Sequence, residues 1–325
     1  MYSNTVAVVR HDIQAFLQQA QGADKYFIGQ RVLPVLNVDK RSGQYPRIKI
    51  GEGSLMRKDV SKRNASGSYN EVQRKHSWDN FLLTDRGLKE LIDDDKAADV
   101  KDYLDLEVTT GKLVTRNLLI DNEYNCQAAL FDEGTFAHEH AKVAYTNTLV
   151  ATCDFAYDMG LAIEKLILRG ADVNSVVISH KLWNYVRRTK MLNDYLFGSE
   201  PSKKKLIKAK DVGEAFSEDC GREITVIIAS AGYDASNRAK DVPSLSPIWP
   251  TSHIWLGAIA GGEFNAGGAG RTLSWTGAVK TGLFQTETWR DEDLRSDMVR
   301  VRSYSDQKII DETAGQLITT GFSEA

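Results

Sequence analysis

Apolar residues fall into a clear helix–strand rhythm in the second half of the chain. Asp154 precedes Phe155, Met159, Ala162, Ile163 and Leu166. Those five side chains share one face of a 3.6-residue helix, Asp154 supplies a capping oxygen and Gly170 a stop. A short apolar strand follows over 176–179, then a helix over 180–188. Asp211 opens another helix over 211–216, and 224–229 and 254–260 read as apolar strands. Helices alternating with apolar strands predict a compact α/β unit over 150–262.

Upstream, the pattern is looser. Residues 1–25 read as a partly helical arm with Ile13, Phe16, Leu17 and Ala20 at helical spacing. Residues 27–38 read as extended, and Pro34 places that stretch at a sheet edge or in a loop. A short capped helix is expected over 84–92, running into Asp93, Asp94 and Asp95. Residues 103–132 hold one glycine and no proline and predict a long helix. Its incomplete apolar stripe is Leu106, Leu113, Asn117, Ile120, Tyr124 and Phe131, which suits a helix lying over a sheet with much of its length exposed. Near the C-terminal end, strands over 283–289 and 298–304 flank the acidic turn Asp291, Glu292 and Asp293, and 317–320 closes a sheet.

Residues 40–75 break this rhythm. They carry ten basic side chains against three acidic ones, a net charge of +7, with few apolar residues. Such a stretch cannot offset its own ordering entropy, ~1–2 kcal/mol per residue, by collapse. Residues 45–50 alternate at period two, 68–73 do so more weakly, and Asn64, Ser66 and Gly67 supply turn material between them. This predicts a long two-stranded arm that becomes ordered against another molecule, because an isolated two-stranded hairpin is marginal in water.

The remaining bulk properties exclude more than they assign. At 325 residues and 36.2 kDa the chain has room for two domains. No apolar run approaches the ~18 residues of a membrane span, and the N-terminal residues lack a signal-peptide pattern. Cys126, Cys153 and Cys220 are scattered, which fits a reducing compartment and small packing residues. A net charge of −3 argues against a general nucleic-acid binder.

Two motifs tempt an enzymatic reading. Gly261–Thr272 follows an apolar strand, yet a phosphate loop would need glycine at Asn265 and lysine at Arg271, with a helix after it. His138 and His140 offer two imidazoles to zinc with no third ligand suggested nearby, so a polar turn is the plainer reading. No catalytic group, metal or cofactor is expected.

The order of elements resembles the major capsid proteins of tailed bacteriophages, the Hong Kong 97-like fold. The resemblance rests on three stretches: 84–95 beginning Thr-Asp-Arg-Gly-Leu, 173–188 around Val173-Asn-Ser-Val-Val-Ile-Ser-His, and 288–306 from Thr288-Trp-Arg-Asp-Glu-Asp. It implies an α+β fold with an N-terminal arm (1–25) and an extended loop (43–78). A peripheral domain with a long spine helix would take 26–42, 79–150 and 285–308, and an axial domain 151–284 and 309–325.

By the same resemblance the chain would self-assemble into hexamers and pentamers of an icosahedral head enclosing double-stranded DNA without sequence specificity. Separate scaffolding, portal and decoration proteins would be its partners, host cytoplasm its place of assembly and the virion its destination. The interface residues expected are Arg47, Lys49, Arg57, Lys58, Lys62 and Arg63 on the arm, docking on Asp93, Asp94, Asp95, Asp291, Glu292 or Asp293 of a neighbour. An encapsulin-like nanocompartment and a nucleotide-binding α/β enzyme using 261–272 are the alternatives.

Overall fold

The computed structural model describes residues 8–9, 26–47, 67–69, 77–100, 105–146, 153–198, 206–236, 242–264, 267–279 and 282–322. The expected helical arm and most of the basic segment lie outside these residues. In chain order the elements are β1 (Val8–Val9), α1 (Gly29–Val32), β2 (Val35–Val38), β3 (Ser42–Arg47), β4 (Ser77–Leu82), β5 (Thr84–Asp93), α2 (Asp94–Val100) and α3 (Leu106–Leu130). Then come β6 (Ala137–His140), α4 (Phe155–Leu168), β7 (Ser175–Ser179), α5 (His180–Val186), α6 (Lys190–Phe197), α7 (Ala209–Cys220) and β8 (Thr225–Ala229). The chain continues with β9 (Gly232–Asp234), β10 (Leu245–Pro247), β11 (His253–Gly257), β12 (Gly270–Trp275), β13 (Gln285–Asp291), β14 (Ser296–Ile309) and β15 (Gly315–Thr319).

Two sheets dominate. In the six-stranded one, β14 is the beam: β12 and β13 pair antiparallel with successive stretches of it, and β5 runs antiparallel along Ser296–Ser305. Because β5 shares residues of β14 with both β12 and β13, it occupies the opposite edge. Strand β2 runs parallel to β12 at the sheet margin, which is where Pro34 belongs, since proline cannot donate to a ladder. The five-stranded sheet has the order β6-β15-β11-β7-β8. Pairing therefore sends 270–275 to the first sheet and 137–140 to the second.

The second sheet follows the sequence reading closely. Phe155, Met159, Ala162, Ile163 and Leu166 are all buried, and Asp154 accepts the Tyr157 N–H at 3.2 Å. Gly170 ends the helix at φ 80°, a left-handed conformation that disfavours side chains. Every residue of β7 is buried, as expected for an apolar strand covered on both faces. Ser179 then caps α5 through the Leu182 N–H. Helix α6 is absent from the sequence reading, although Met191, Leu192, Tyr195 and Leu196 recur at helical spacing; only Leu192 is buried.

Three expectations fail. Residues 84–92 form a strand, and the helix begins only at Asp94. Ten consecutive residues of β14 offer these residues backbone partners, and helix propensity, with Gly87 costing ~1 kcal/mol, is a weak prior against them. Residues 29–32 make one helical turn within the stretch expected to be extended. Residues 137–140 form a strand rather than a polar turn, pairing parallel with β15.

The long helix is present as α3, 25 residues, but it buries the other face. Leu113 and Tyr124 are exposed, whereas Val114, Leu118, Asn122, Cys126 and Leu130 make an inward row with Thr115, Leu119 and Glu123 beside it. Val114, Leu118 and Leu119 meet Leu283, Phe284 and Val301 under the six-stranded sheet. Further along, Cys126 and Leu130 enter the core of the five-stranded sheet. One helix thus spans both cores and fixes their relation.

Candidate assembly surface

The root of the basic arm is a hairpin fastened to the body. Strands β3 and β4 pair from Ser42↔Leu82 to Arg47↔Ser77; the expected partner strand, 70–73, lies outside the described residues, and 67–69 are not strand. Tyr45 is buried with Phe81, Leu83, Leu273 and Ile310, and stacks on Phe264. Its hydroxyl donates to Asp79 and to the Ile309 carbonyl, both at 3.2 Å. Burial, with the Asp79 carboxylate nearby, pushes this phenol well above its usual value, so it stays a donor. The other side of β4 leaves Trp78 and Leu82 about two-thirds exposed, with Trp78 next to the end of the hairpin at Arg47 and Ser77.

Of the basic candidates, Arg47 is half-buried and pairs with Glu312 and, at 3.9 Å, with Asp79. It pins the hairpin root to the body of its own chain. Lys49, Arg57, Lys58, Lys62 and Arg63 lie outside the described residues.

The two acidic clusters, about two hundred positions apart in sequence, come together. Asp93 and Asp291 both face Ser296 across β14, so both clusters occupy one end of the sheet. Arg290 organises them. It clasps Asp94 with two bonds of 2.5 and 2.6 Å and reaches Glu292 at 3.3 Å and Asp297 at 3.5 Å. The paired bonds are the geometry in which a guanidinium holds a carboxylate best, and they keep the Asp94 carboxyl below the usual range. Asp93 accepts the Asp95 N–H at 2.9 Å. Asp94 and Glu292 are therefore committed internally, whereas Asp95 and Asp293 are exposed and carry no ion pair among the described residues. Seven carboxylates against Lys96, Arg290 and Arg295 leave this end negative.

Sequence reasoning missed a second charged site on the same sheet. Glu287, 3% exposed, is held by Arg300, directly opposite it in register, and by Arg302 at 2.7 Å. Arg300 also lies over the Trp289 ring at 5.0 Å. The Arg-x-Arg alternation across a hairpin that turns at residues 292–295 was the available signal. Glu287→Gln is expected to lower subunit stability by ~2–4 kcal/mol, since it strips the partner from two half-buried guanidinia. Equilibrium urea unfolding reads this, and a loss under ~1 kcal/mol would mean water already serves both arginines.

Glu123 was also missed, being a lone acid inside a helix. It accepts the N–H groups of Ile28 and Gly29 at 3.1 and 2.6 Å and the Trp249 indole N–H at 2.7 Å. Three distant segments meet on that one carboxylate, which caps α1. Burial raises its pKa against the pull of those donors.

The tempting motifs acquire structural roles. A strand, β12, follows the glycine-rich loop where a phosphate loop would need a helix. Arg271 is fully buried and donates to the carbonyls of Gly270 at 2.8 Å and Gly267 at 2.5 Å. His138 and His140 share one side of β6, their rings 6.5 Å apart, and Glu139 pairs with Lys165. Among the described residues no group of three His, Cys, Asp or Glu side chains is placed to hold a metal, and no helix is long and apolar enough to cross a membrane. Cys126 and Cys153 are buried. Burial pushes both thiols up, Cys153 to about 12, which disfavours the thiolate a nucleophile needs.

No protein-family model and no curated protein sequence matches the chain. Solved structures do. A phage-related protein of Bordetella bronchiseptica RB50 superposes with a TM-score of 0.68 at 16% identity, covering 97% of this chain and 98% of that one. The capsid of cyanophage P-SCSP1u gives 0.56 at 8% identity, covering 90% and 87%. A virus-like particle from Pyrococcus furiosus gives 0.52 at 10% identity, covering 95% and 96%. The chain has the α+β fold of tailed-phage capsid shells across nearly its whole length.

Proposed function

We propose that this chain is the shell-forming major capsid protein of a tailed bacteriophage, acting by assembly rather than turnover. The observation that supports this best is the fold match over nearly whole chains. In this reading 43–78 is the extended loop, and 26–42, 79–150 and 285–308 form the peripheral domain around α3. Residues 151–284 and 309–325 form the axial domain around five- and six-fold positions of pentamers and hexamers, save that β12 (270–275) joins the peripheral sheet and β6 (137–140) the axial one.

The charge layout agrees with that division of labour. A segment of net charge +7 leaves from an internally fastened root, and a negative sheet end carries exposed Asp95 and Asp293. Exposed ion pairs contribute only ~0–1 kcal/mol each, but repetition over every subunit multiplies them. The shell would enclose double-stranded DNA without reading its sequence, with separate scaffolding, portal and decoration proteins as partners. It would be built in the host cytoplasm and delivered as part of the virion.

The likeness to the Pyrococcus particle supports a second reading, an encapsulin-like compartment loaded with cargo protein. Electron microscopy of the purified chain tests both, with closed icosahedral shells expected. A chain that stays monomeric at high concentration overturns both. DNA inside particles isolated from the native source selects the capsid; tagged cargo protein selects the compartment.

A further inference from the structure

Strand β5 forms an outer edge of the six-stranded sheet. It pairs with β14 on one side and, among the described residues, with no strand on the other. An edge ten residues long presents a row of N–H and C=O groups, a ready template for a further strand. It is weakly protected, holding no proline and one lysine, and its Leu88 and Leu91 are each about two-fifths exposed. Side chains alternate along it, so Arg86, Leu88 and Glu90 share one face. That face is the one turned to α3, because Arg86 bonds Asp121 at 2.6 Å. Glu90 is exposed and makes no ion pair among the described residues.

We infer that β5 pairs antiparallel with β5 of a second copy about a two-fold axis at Leu88, joining two six-stranded sheets edge to edge. Its residues make a self-complementary row. With Leu88 opposite Leu88, Arg86 falls opposite Glu90 on both flanks and Thr84 opposite Ile92. Opposite charges directly across a ladder stabilise it, and like charges oppose it. Moving the axis to Arg86 or to Glu90 would set like charges face to face, so the pattern specifies its own register. Arg86 keeps Asp121 and has donors to spare, since a guanidinium carries five N–H groups. On the other face Lys89 meets Gly87, which has no side chain to obstruct it. The axis also sends the negative sheet ends apart: Asp93 of one copy lies ten residue steps, about 34 Å, from Asp93 of the other. A contact in which both copies use the same patch closes after two. It goes beyond the shell reading and involves neither the basic segment nor the acidic sheet end.

A cysteine on the axis tests this. In the full-length chain carrying Cys220→Ala, Leu88→Cys is oxidised with diamide, so that two thiols lose their hydrogens to diamide as one disulfide forms. Cys126 and Cys153 are buried, which leaves the new thiol as the reporter. Assembled and unassembled fractions are run on non-reducing gels, with particles counted by electron microscopy. Expected is a disulfide-linked dimer. Leu91→Cys, equally exposed but about 20 Å from its own counterpart in this register, should give at least tenfold less. Adding Glu90→Arg to Leu88→Cys lowers the dimer about tenfold, and so does adding Arg86→Glu, because each sets like charges opposite one another. Mixing those two variants restores it, since every like pair then becomes an opposite pair. No dimer from Leu88→Cys in either fraction, equal dimer from Leu91→Cys, or a mixture that links no better than its components would each overturn the pairing. Normal shells without the dimer sink this contact alone and leave the shell reading standing; a dimer from subunits that never close a shell does the reverse.

Discussion

Glu123→Ala should destabilise the subunit by ~3–5 kcal/mol. Three buried donors, the N–H groups of Ile28 and Gly29 and the indole N–H of Trp249, end on this carboxylate. Each unmet buried donor costs ~1–3 kcal/mol, and the truncated side chain leaves a cavity as well. Equilibrium denaturation measures the loss, and an unchanged midpoint would show that solvent satisfies all three groups.

Glu123→Gln separates charge from shape. Burial raises the Glu123 pKa above its ordinary 4.5, so the folded chain keeps this proton where the unfolded chain has lost it. The resulting stabilisation is full below the unfolded pKa and disappears as pH rises through the folded one. Wild type should therefore gain stability over the glutamine variant as pH falls from 7 toward 4.5. Asp158, also raised mainly by burial, adds the same trend to both proteins and cancels in the difference. Asp79 and Glu133 are shifted down, by the Asn80 N–H and by His253 respectively. Their contribution is lost only at lower pH, again in both proteins. A difference in melting temperature that stays flat between pH 7 and 4.5 would refute the linkage.

Under the proposed shell function, the largest effect on assembly is expected from reversing Arg57, Lys58, Lys62 and Arg63 to glutamate together. Each reversal removes two units of charge, so the four take segment 40–75 from +7 to −1. None of the four belongs to the described cores, and the hairpin root keeps its own contacts through Tyr45, Phe81 and Arg47. The subunit should remain folded, with an unchanged melting temperature, and closed shells should vanish from electron micrographs. Each contact forfeits only ~0.2–1 kcal/mol, but a shell multiplies that over every copy. Shells at normal yield would show that docking does not depend on these charges.

The sequence disclosed the elements whose local signals agree with their packing. Helix α4 combines a cap, a five-residue apolar face and a glycine stop, and β7 is buried throughout, its Val-Val-Ile centre covered on both faces. It misled where tertiary pairing decides the outcome. Residues 84–92 carry a plausible capping threonine and good helix formers, yet their conformation is set by β14, more than two hundred residues away. In α3 the buried row includes Thr115, Asn122 and Glu123, which no apolar-stripe argument selects.

Charge showed the same division. Acid clusters at 93–95 and 291–293 were visible as composition, but their meeting at Arg290 needs a sheet that places Asp93 and Asp291 opposite one serine.

One consequence concerns timing. In the five-stranded sheet β15 is flanked by β6 and β11, although it is made after every other strand of that sheet. A nascent chain therefore holds β6 and β11 with a vacant seat between them until residues 315–319 leave the ribosome. At a synthesis rate of ~5–20 residues per second, the wait from β11 to β15 lasts a few seconds, during which two bare strand margins invite mispairing. A chain so wired cannot close this sheet before residues 315–319 have been made, so the core beneath β11 stays unsealed through the whole synthesis of β12, β13 and β14.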